Sequence, residues 1–451
     1  MGVKGISPYS DSFRPGSATI PFARHGLPSR PFARFQSRDV RPATYFFTGA
    51  GAWFFAYGIQ TVVFAWLVTI VLREPAEMVG IAQMSFLLPA MLLMLVGGSL
   101  ADQYGGRTVA LYAQLFATLT PLIPIVALMT GTFSYPVLLV YAVLMGCAQA
   151  IVTPARDGLL PLIADGQIQR YVVRVSMIQY GVQMLGFLAA SQADTVGAVA
   201  IMTVQVFALA LGVVAFSRLR VPVMTSNLGR TASISSQIAG SIIEGFHTVR
   251  RSPAMRMVVI QNCAMGVFFM GSYIVTLPLL LREVYDGSSE QLSWMNAANS
   301  LGLVSTILIL MRFGDIRRQG RALLISQALG CFVLASAGAG LGFPLLAMSL
   351  FFWGMCGGIA ITMARTIMQE QAPADQRARM MAFYAFSFMG SGPVGALVSG
   401  YMVSFLGPVN ALLASCTMML LVVCIVGIMS GLWRLEHVSL LPETQPEEST
   451  T

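Results

Sequence analysis

Nine stretches of this chain run for at least 19 residues without an Asp, Glu, Lys or Arg: 42–72, 78–101, 108–155, 175–193, 195–217, 257–281, 291–311, 322–364 and 380–433. About 20 apolar residues cross the hydrocarbon core of a bilayer, so 108–155, 322–364 and 380–433 can each cross twice. Each holds a helix breaker near its middle: Gly131 to Pro136, Gly342 to Pro344, and Gly407-Pro408. Folding these three back gives twelve membrane helices, six on either side of a polar segment at 218–256. Backbone groups in lipid must pair within a helix or a closed barrel. Runs this long exceed the alternating strands of about 10 residues that build a barrel. The expected fold is therefore all-α and integral to the membrane, with two pseudo-symmetric six-helix bundles.

The organisation follows from the same pattern. It comprises a basic tail at 1–41, a first bundle at 42–217, a linker at 218–256, a second bundle at 257–433 and an acidic tail at 434–451. The linker ends in an expected amphipathic helix, Ile238 to Arg251, lying along the membrane surface. The first tail carries no apolar core of the kind a secretory signal needs, and is read as a cytoplasmic segment near anionic lipid. An organellar transit peptide is its alternative.

The net charge of +8 orients the chain and does not point to nucleic acid. With both termini inside, the outer segments hold Arg73 and Arg282 against Glu74, Glu77, Asp194, Glu283, Asp286 and Glu290. The remaining 25 basic and 13 acidic residues fall inside, as basic residues favour the cytoplasmic side. The expected location is the plasma membrane. All six cysteines lie within apolar runs and read as packing residues, so no disulfide, metal or cofactor is expected.

The two halves repeat. Asp102 and Asp315 stand 213 residues apart, each followed by a Gly-Arg pair, Gly106-Arg107 and Gly320-Arg321. Ala155-Arg156 and Ala364-Arg365 stand 209 apart, and each Arg has another fourteen residues on, Arg170 and Arg379. Two landmarks at nearly one offset argue for a parallel duplication, the plan of many secondary transporters.

Over roughly 43–432 the chain resembles the major facilitator superfamily. The segment Gly98-x-Leu100-Ala101-Asp102-x-x-Gly105-x-Arg107 is similar to that superfamily's signature between helices 2 and 3. Gln60-Thr61 with Trp66-Leu67-Val68, Thr153-Pro154-Ala155-Arg156 and Asp375-x-Arg377-x-Arg379-Met380 resemble the drug and siderophore exporters that include the enterobactin exporter. The resemblance implies that Asp102 and Arg107 belong to a latch at the inner start of helix 11. Gln103 and Gly106 stand where the family has cations, which implies a weaker latch or compensation by Arg317 and Arg318. Helix 5 keeps Gly186 but has Phe187 where the antiporter pattern has Pro. Helix 11 keeps Gly390-x-Gly392-Pro393-x-Gly395. Asp315, Arg321, Arg156 and Arg365 complete the expected gating set.

No Asp, Glu or His falls inside an apolar run, although proton-coupled transport normally uses such a group. Asp157 beside Arg156 is the candidate coupling acid, with a surface ion pair as its plain alternative. Uncharged polar groups are denser. Gln60, Gln149, Thr153, Gln179, Gln183, Gln261, Asn262, Asn296 and Asn299 lie in or near the spans, and a buried amide must find a partner. Each could tie helices together, or they could share a substrate cavity with Trp66, Tyr273, Trp353 and Tyr384. The lining suits a neutral or anionic amphipathic substrate, with Arg156 and Arg365 favouring anions at the inner mouth.

The reading is a monomeric secondary transporter that exports a hydrophobic or siderophore-like small molecule, with protons as the candidate coupling ion. An importer or uniporter is the alternative. A membrane enzyme would need a cluster of His, Asp, Cys or Ser/Lys groups at one depth, and the sequence offers none. A receptor or scaffold rests on the first tail alone. No phosphate-binding loop of the G-x-x-x-x-G-K-[ST] type occurs.

Overall fold

Apolar residues cannot leave the bilayer and their backbones cannot stay unpaired in it, so each run becomes a helix and each breaker a turn. The computed structural model describes residues 41–164, 168–221, 248–313, 316, 318–372 and 377–434. The first tail, the acidic tail beyond Arg434, Asp315, Arg317 and nearly all of the expected linker helix lie outside them. Only residues 248–251 of that linker helix are described, and they are helical.

The spanning helices are α1 (Arg41–Trp66, extended by a π-helical turn Leu67–Val71), α2 (Ala76–Tyr104), α3 (Gly106–Met129), α4 (Tyr135–Asp157), α5 (Ile168–Ala190) and α6 (Ala198–Arg218). The second half supplies α7 (Pro253–Val284), α8 (Ser289–Phe313), α9 (Gln319–Ser336), α10 (Phe343–Gln371), α11 (Arg377–Met389 and 392–406) and α12 (408–429). Ten stretches are long and apolar enough to cross a membrane outright. The count reaches twelve because α5 is more polar, and because 383–429 turns at Gly407. There φ is +77°, a left-handed conformation open to glycine at little cost, and Pro408 starts the next helix.

The helices overrun the apolar runs. α5 begins at Ile168 rather than 175, α7 at Pro253 rather than 257, and α10 ends at Gln371 rather than 364. Arg170, Arg174, Arg256 and Arg365 sit in these extensions, where a long stem can stay in lipid while the guanidinium reaches water. Ser252 caps α7, its Oγ accepting from the Met255 amide at 3.4 Å. Asp102 lies in the last turn of α2.

The duplication is visible in packing. α1 crosses α5 where Gly58 meets Gly186, and α7 crosses α11 where Gly271 meets Gly395; a Cβ at any of these would strike a backbone carbonyl. Such small residues let membrane helices approach closely. Arg107 at the start of α3 donates to the Phe216 and Ser217 carbonyls at the end of α6, at 3.2 and 2.5 Å. Arg321 at the start of α9 donates to the Trp433 carbonyl just after α12, at 2.9 Å. In each half one arginine closes the open carbonyls of a helix end.

α1, α7 and α12 have one end, here the tail end, in common with the loops after α2, α4, α8 and α10. The connections after α1, α3, α5, α7, α9 and α11 form the far end.

Candidate functional site

α1 and α2 of the first half face α7 and α8 of the second around a cavity of about 60 Å³. Tyr57, Gln60, Thr61 and Phe64 recur at helical spacing on one face of α1, as Gln83, Phe86 and Leu87 do on α2. Met270, Tyr273, Ile274 and Pro278 of α7, with Met295 and Asn296 of α8, close the other side. The lining part of α7 carries π-helical turns at Met265–Met270 and Ser272–Thr276, a local widening that recurs at functional sites.

Polar groups here are held in place from behind. The Tyr273 hydroxyl donates to Asn296 Oδ1 at 2.6 Å, and Asn296 Nδ2 donates to the Leu292 carbonyl at 2.7 Å. Trp353 packs on Tyr273 at 5.7 Å between ring centroids and edge-on against Phe269 at 5.6 Å. Opposite, Gln60 Oε1 accepts from the Tyr141 hydroxyl and from Gln205 Nε2, the latter at 3.0 Å. Gln60 Nε2 is buried without a partner. Gln83 is 6% exposed and makes no hydrogen bond among the described residues. The cavity thus offers amide groups and no formal charge. Its volume is far below the ~300–1,000 Å³ that encloses a drug-sized ligand, so this arrangement is contracted.

The contraction has a cause at the far end. Asp194, in the turn after α5, accepts from the Trp66 indole at 2.9 Å through Oδ1 and from the Ser289 amide at 2.6 Å through Oδ2. Ser289 opens α8, so the carboxylate of one half caps a helix of the other, where the helix dipole favours an anion. The Ser289 hydroxyl also donates to the Ser191 carbonyl at 3.1 Å. Arg282 of α7 donates to the Thr69 and Glu74 carbonyls at 3.2 and 2.9 Å. Below these, α2 crosses α11 so closely that a Cβ on Gly80 would lie 2.7 Å from the Ala396 carbonyl oxygen.

The tail end differs. The side-chain hydrogen bonds of Arg107, Arg156, Gln319 and Arg321 there stay within one half, while Thr44, Arg170, Thr248, Arg318 and Glu370 engage further partners. Asp102 is exposed and makes no hydrogen bond among the described residues, while Arg107 and Arg321 serve the ends of α6 and α12. Gly105 takes the turn from α2 to α3 at φ +85°, and Gly98 lies against Pro154. Gly392 and Pro393 restart α11 after its break, where a Cβ on Gly392 would meet Leu87 and Met270. Arg156 is 4% exposed; its Nε and Nη2 donate to Asp157 Oδ1 at 3.1 and 3.0 Å, and Phe54 covers its guanidinium at 4.5 Å. Arg365 is exposed.

Of the residues singled out from sequence, Gln60, Tyr273 and Asn296 line the cavity, with Trp353 directly behind Tyr273. Trp66 belongs to the far-end contacts. Gln149 stands outside the cavity lining, its Oε1 buried without a partner. Asn262 ties α7 to the Tyr384 carbonyl and Ser387 hydroxyl of α11 at 3.0 and 2.8 Å, and Asn299 ties α8 to α10 at 3.4 Å. Gln261 is buried with neither amide atom partnered. Thr153, Gln179, Gln183 and Tyr384 stand outside the cavity lining. Sequence reading missed Tyr57, Thr61 and Gln83, although Tyr57 and Thr61 flank Gln60 on one helical face. It also missed the depth of the Gln60–Tyr141–Gln205 cluster, which only the meeting of α1, α4 and α6 creates.

The fold is that of known transporters. A nucleoside transporter, NupG, superposes with a TM-score of 0.68 at 12% identity, covering 86% of this chain and 98% of that one. A POT family transporter in complex with 5-aminolevulinic acid gives 0.70 at 13% identity, with 87% and 96% covered. A peptide transporter POT in complex with sulfate gives 0.66 at 15% identity, with 87% and 95% covered. A search of curated proteins returns no significant match. The family model described as transmembrane secretion effector matches residues 46–450. With that match across nearly every spanning helix, the chain belongs to the transmembrane secretion effector family of major facilitator transporters.

Proposed function

We propose that the chain exports a hydrophobic or siderophore-like small molecule across the plasma membrane by alternating access, as a monomer with its tail end in the cytoplasm. The carrying observation is the closed far end of the interface, where the halves are hydrogen-bonded to each other over a contracted polar cavity. Such a state loads from the tail side. The excess of basic residues on that side supports a cytoplasmic placement, and the secretion in the family's description supports outward movement. Substrate would part α1 and α2 from α7 and α8, gaining Gln60, Gln83 and Asn296 as polar partners. Release would follow when the Asp194–Ser289 and Arg282 contacts break.

Proton exchange is the proposed energy source. Asp157, 59% exposed beside Arg156, is the acid on the tail side. An importer or facilitator is the second reading, favoured because the described residues place no carboxylate deep inside a span. The test is accumulation of fluorescent amphipathic dyes and a labelled catecholate siderophore in efflux-deficient cells, with and without a protonophore. Export predicts lower accumulation that the protonophore abolishes. Higher accumulation than in control cells, insensitive to the protonophore, would favour the facilitator and overturn export.

A further inference from the structure

Arg156 and Arg365 occupy matching places in the repeat, 209 residues apart, yet their surroundings differ. Arg156 is bound to the carboxylate of the next residue and roofed by Phe54. Arg365 is followed by Thr366, whose hydroxyl bonds the Thr362 carbonyl of its own helix at 2.9 Å. Among the described residues, Arg365 makes no hydrogen bond or ion pair. Arg365 is exposed near the tail end of α10, so its planar fork of donors is open to an anion arriving from that side.

Two phenols from different halves attend it. Tyr384 of α11 donates to the Ile361 carbonyl at 3.2 Å, one turn before Arg365. Tyr180 of α5 lies within electrostatic reach of the same guanidinium. Tyr180 also lines a separate slot of about 210 Å³ between α5 and α8, walled by Met177, Met184, Val304, Leu308 and Met311. Met177 and Met311 are 56% and 59% exposed, so the slot is open. Methionine walls adapt to flexible apolar chains. Tyr180 links the charge and the slot, lining the apolar slot while lying in the field of Arg365, and the pair matches a molecule with an anionic head and an alkyl chain.

We propose that Arg365, Tyr180 and Tyr384 form the headgroup subsite for an amphipathic anion, a carboxylate or phosphate, whose alkyl chain lies in the slot between α5 and α8. This names a substrate class for the transport reading and rests on it. Arginine donates to either oxyanion in a planar fork, and the phenols add neutral donors.

The test is binding to the full-length protein in nanodiscs of zwitterionic lipid, with dodecanoate, dodecyl phosphate and dodecanol as probes. The wild type should bind one or both anions at least about tenfold more tightly than dodecanol, from the strength of a charged hydrogen bond; the tighter anion identifies the head. Arg365→Gln should erase that preference, Arg365→Lys should retain most of it, and Leu308→Trp should weaken all three probes. Unchanged thermal stability of each variant guards against misfolding. Equal binding of dodecanol and both anions by the wild type would overturn the subsite, as would an anion preference that survives Arg365→Gln. Anion preference lost in Arg365→Gln, with no transport in cells, would leave the subsite standing and sink the transport reading. Protonophore-sensitive export without anion preference would do the reverse.

Discussion

The two ends of the helix bundle are built from the same repeat but close in different ways. At the far end, an aspartate of one half caps a helix of the other, an arginine returns the favour to two carbonyls, and two glycine-faced helices touch beneath them. At the tail end the conspicuous charged residues turn inward to their own halves: Arg107 to α6, Arg321 to the end of α12, Arg156 to Asp157. The difference teaches that a charged residue beside the interface is not thereby a gate. What decides is whether its partner lies across the interface, because only then does moving the halves break the bond.

The comparison can be broken most severely at the glycine crossing. Gly80→Leu would place a side chain against the Ala396 carbonyl and Gly400, and overpacking of this kind costs about 1–3 kcal/mol. The far end should then stay apart, with transport falling roughly tenfold or more and spin labels on the α1–α2 and α7–α8 turns reporting a longer distance. An unchanged distance distribution would show that the crossing does not set closure.

Asp194→Ala comes next. It removes two hydrogen bonds to a charged acceptor, worth roughly 1.5–3 kcal/mol each before relaxation, and should shift the same distance distribution towards the open far end. Trp66 fluorescence should respond in step, since the indole loses its acceptor. Asp102→Asn should have the smallest effect: the Asp102 carboxylate makes no hydrogen bond among the described residues, so both distance and transport should stay within about twofold of wild type. A large loss there would support the tail-end latch that the sequence resemblance implies, whose expected seat at 373–376 lies outside the described residues.

Much of the fold was legible before any coordinates. The charge-free runs and their Gly/Pro breaks gave twelve helices, because lipid leaves an unpaired backbone no alternative. The helix ends were less legible, since arginines such as Arg170 and Arg256 extend a helix past its apolar run. The site was only partly so. Gln60, Tyr273 and Asn296 could be singled out as amides and aromatics in apolar surroundings. Gln83 and Tyr57 carried the same signal on the same faces and passed unnoticed. Asn262 and Asn299 looked identical to Asn296 in sequence, yet they tie helices together outside the cavity lining.

The sequence by itself determined the membrane class, the twofold repeat and the matched positions of Arg156 and Arg365. Those follow from local composition and spacing, which a linear pattern records. Tertiary structure alone decided which polar groups reach the cavity, which residues bond across the interface, and that the far end is closed. Hydrogen bonds across an interface join residues far apart in the chain, as Asp194 and Ser289 are, and no periodicity along a single helix encodes the partner on another.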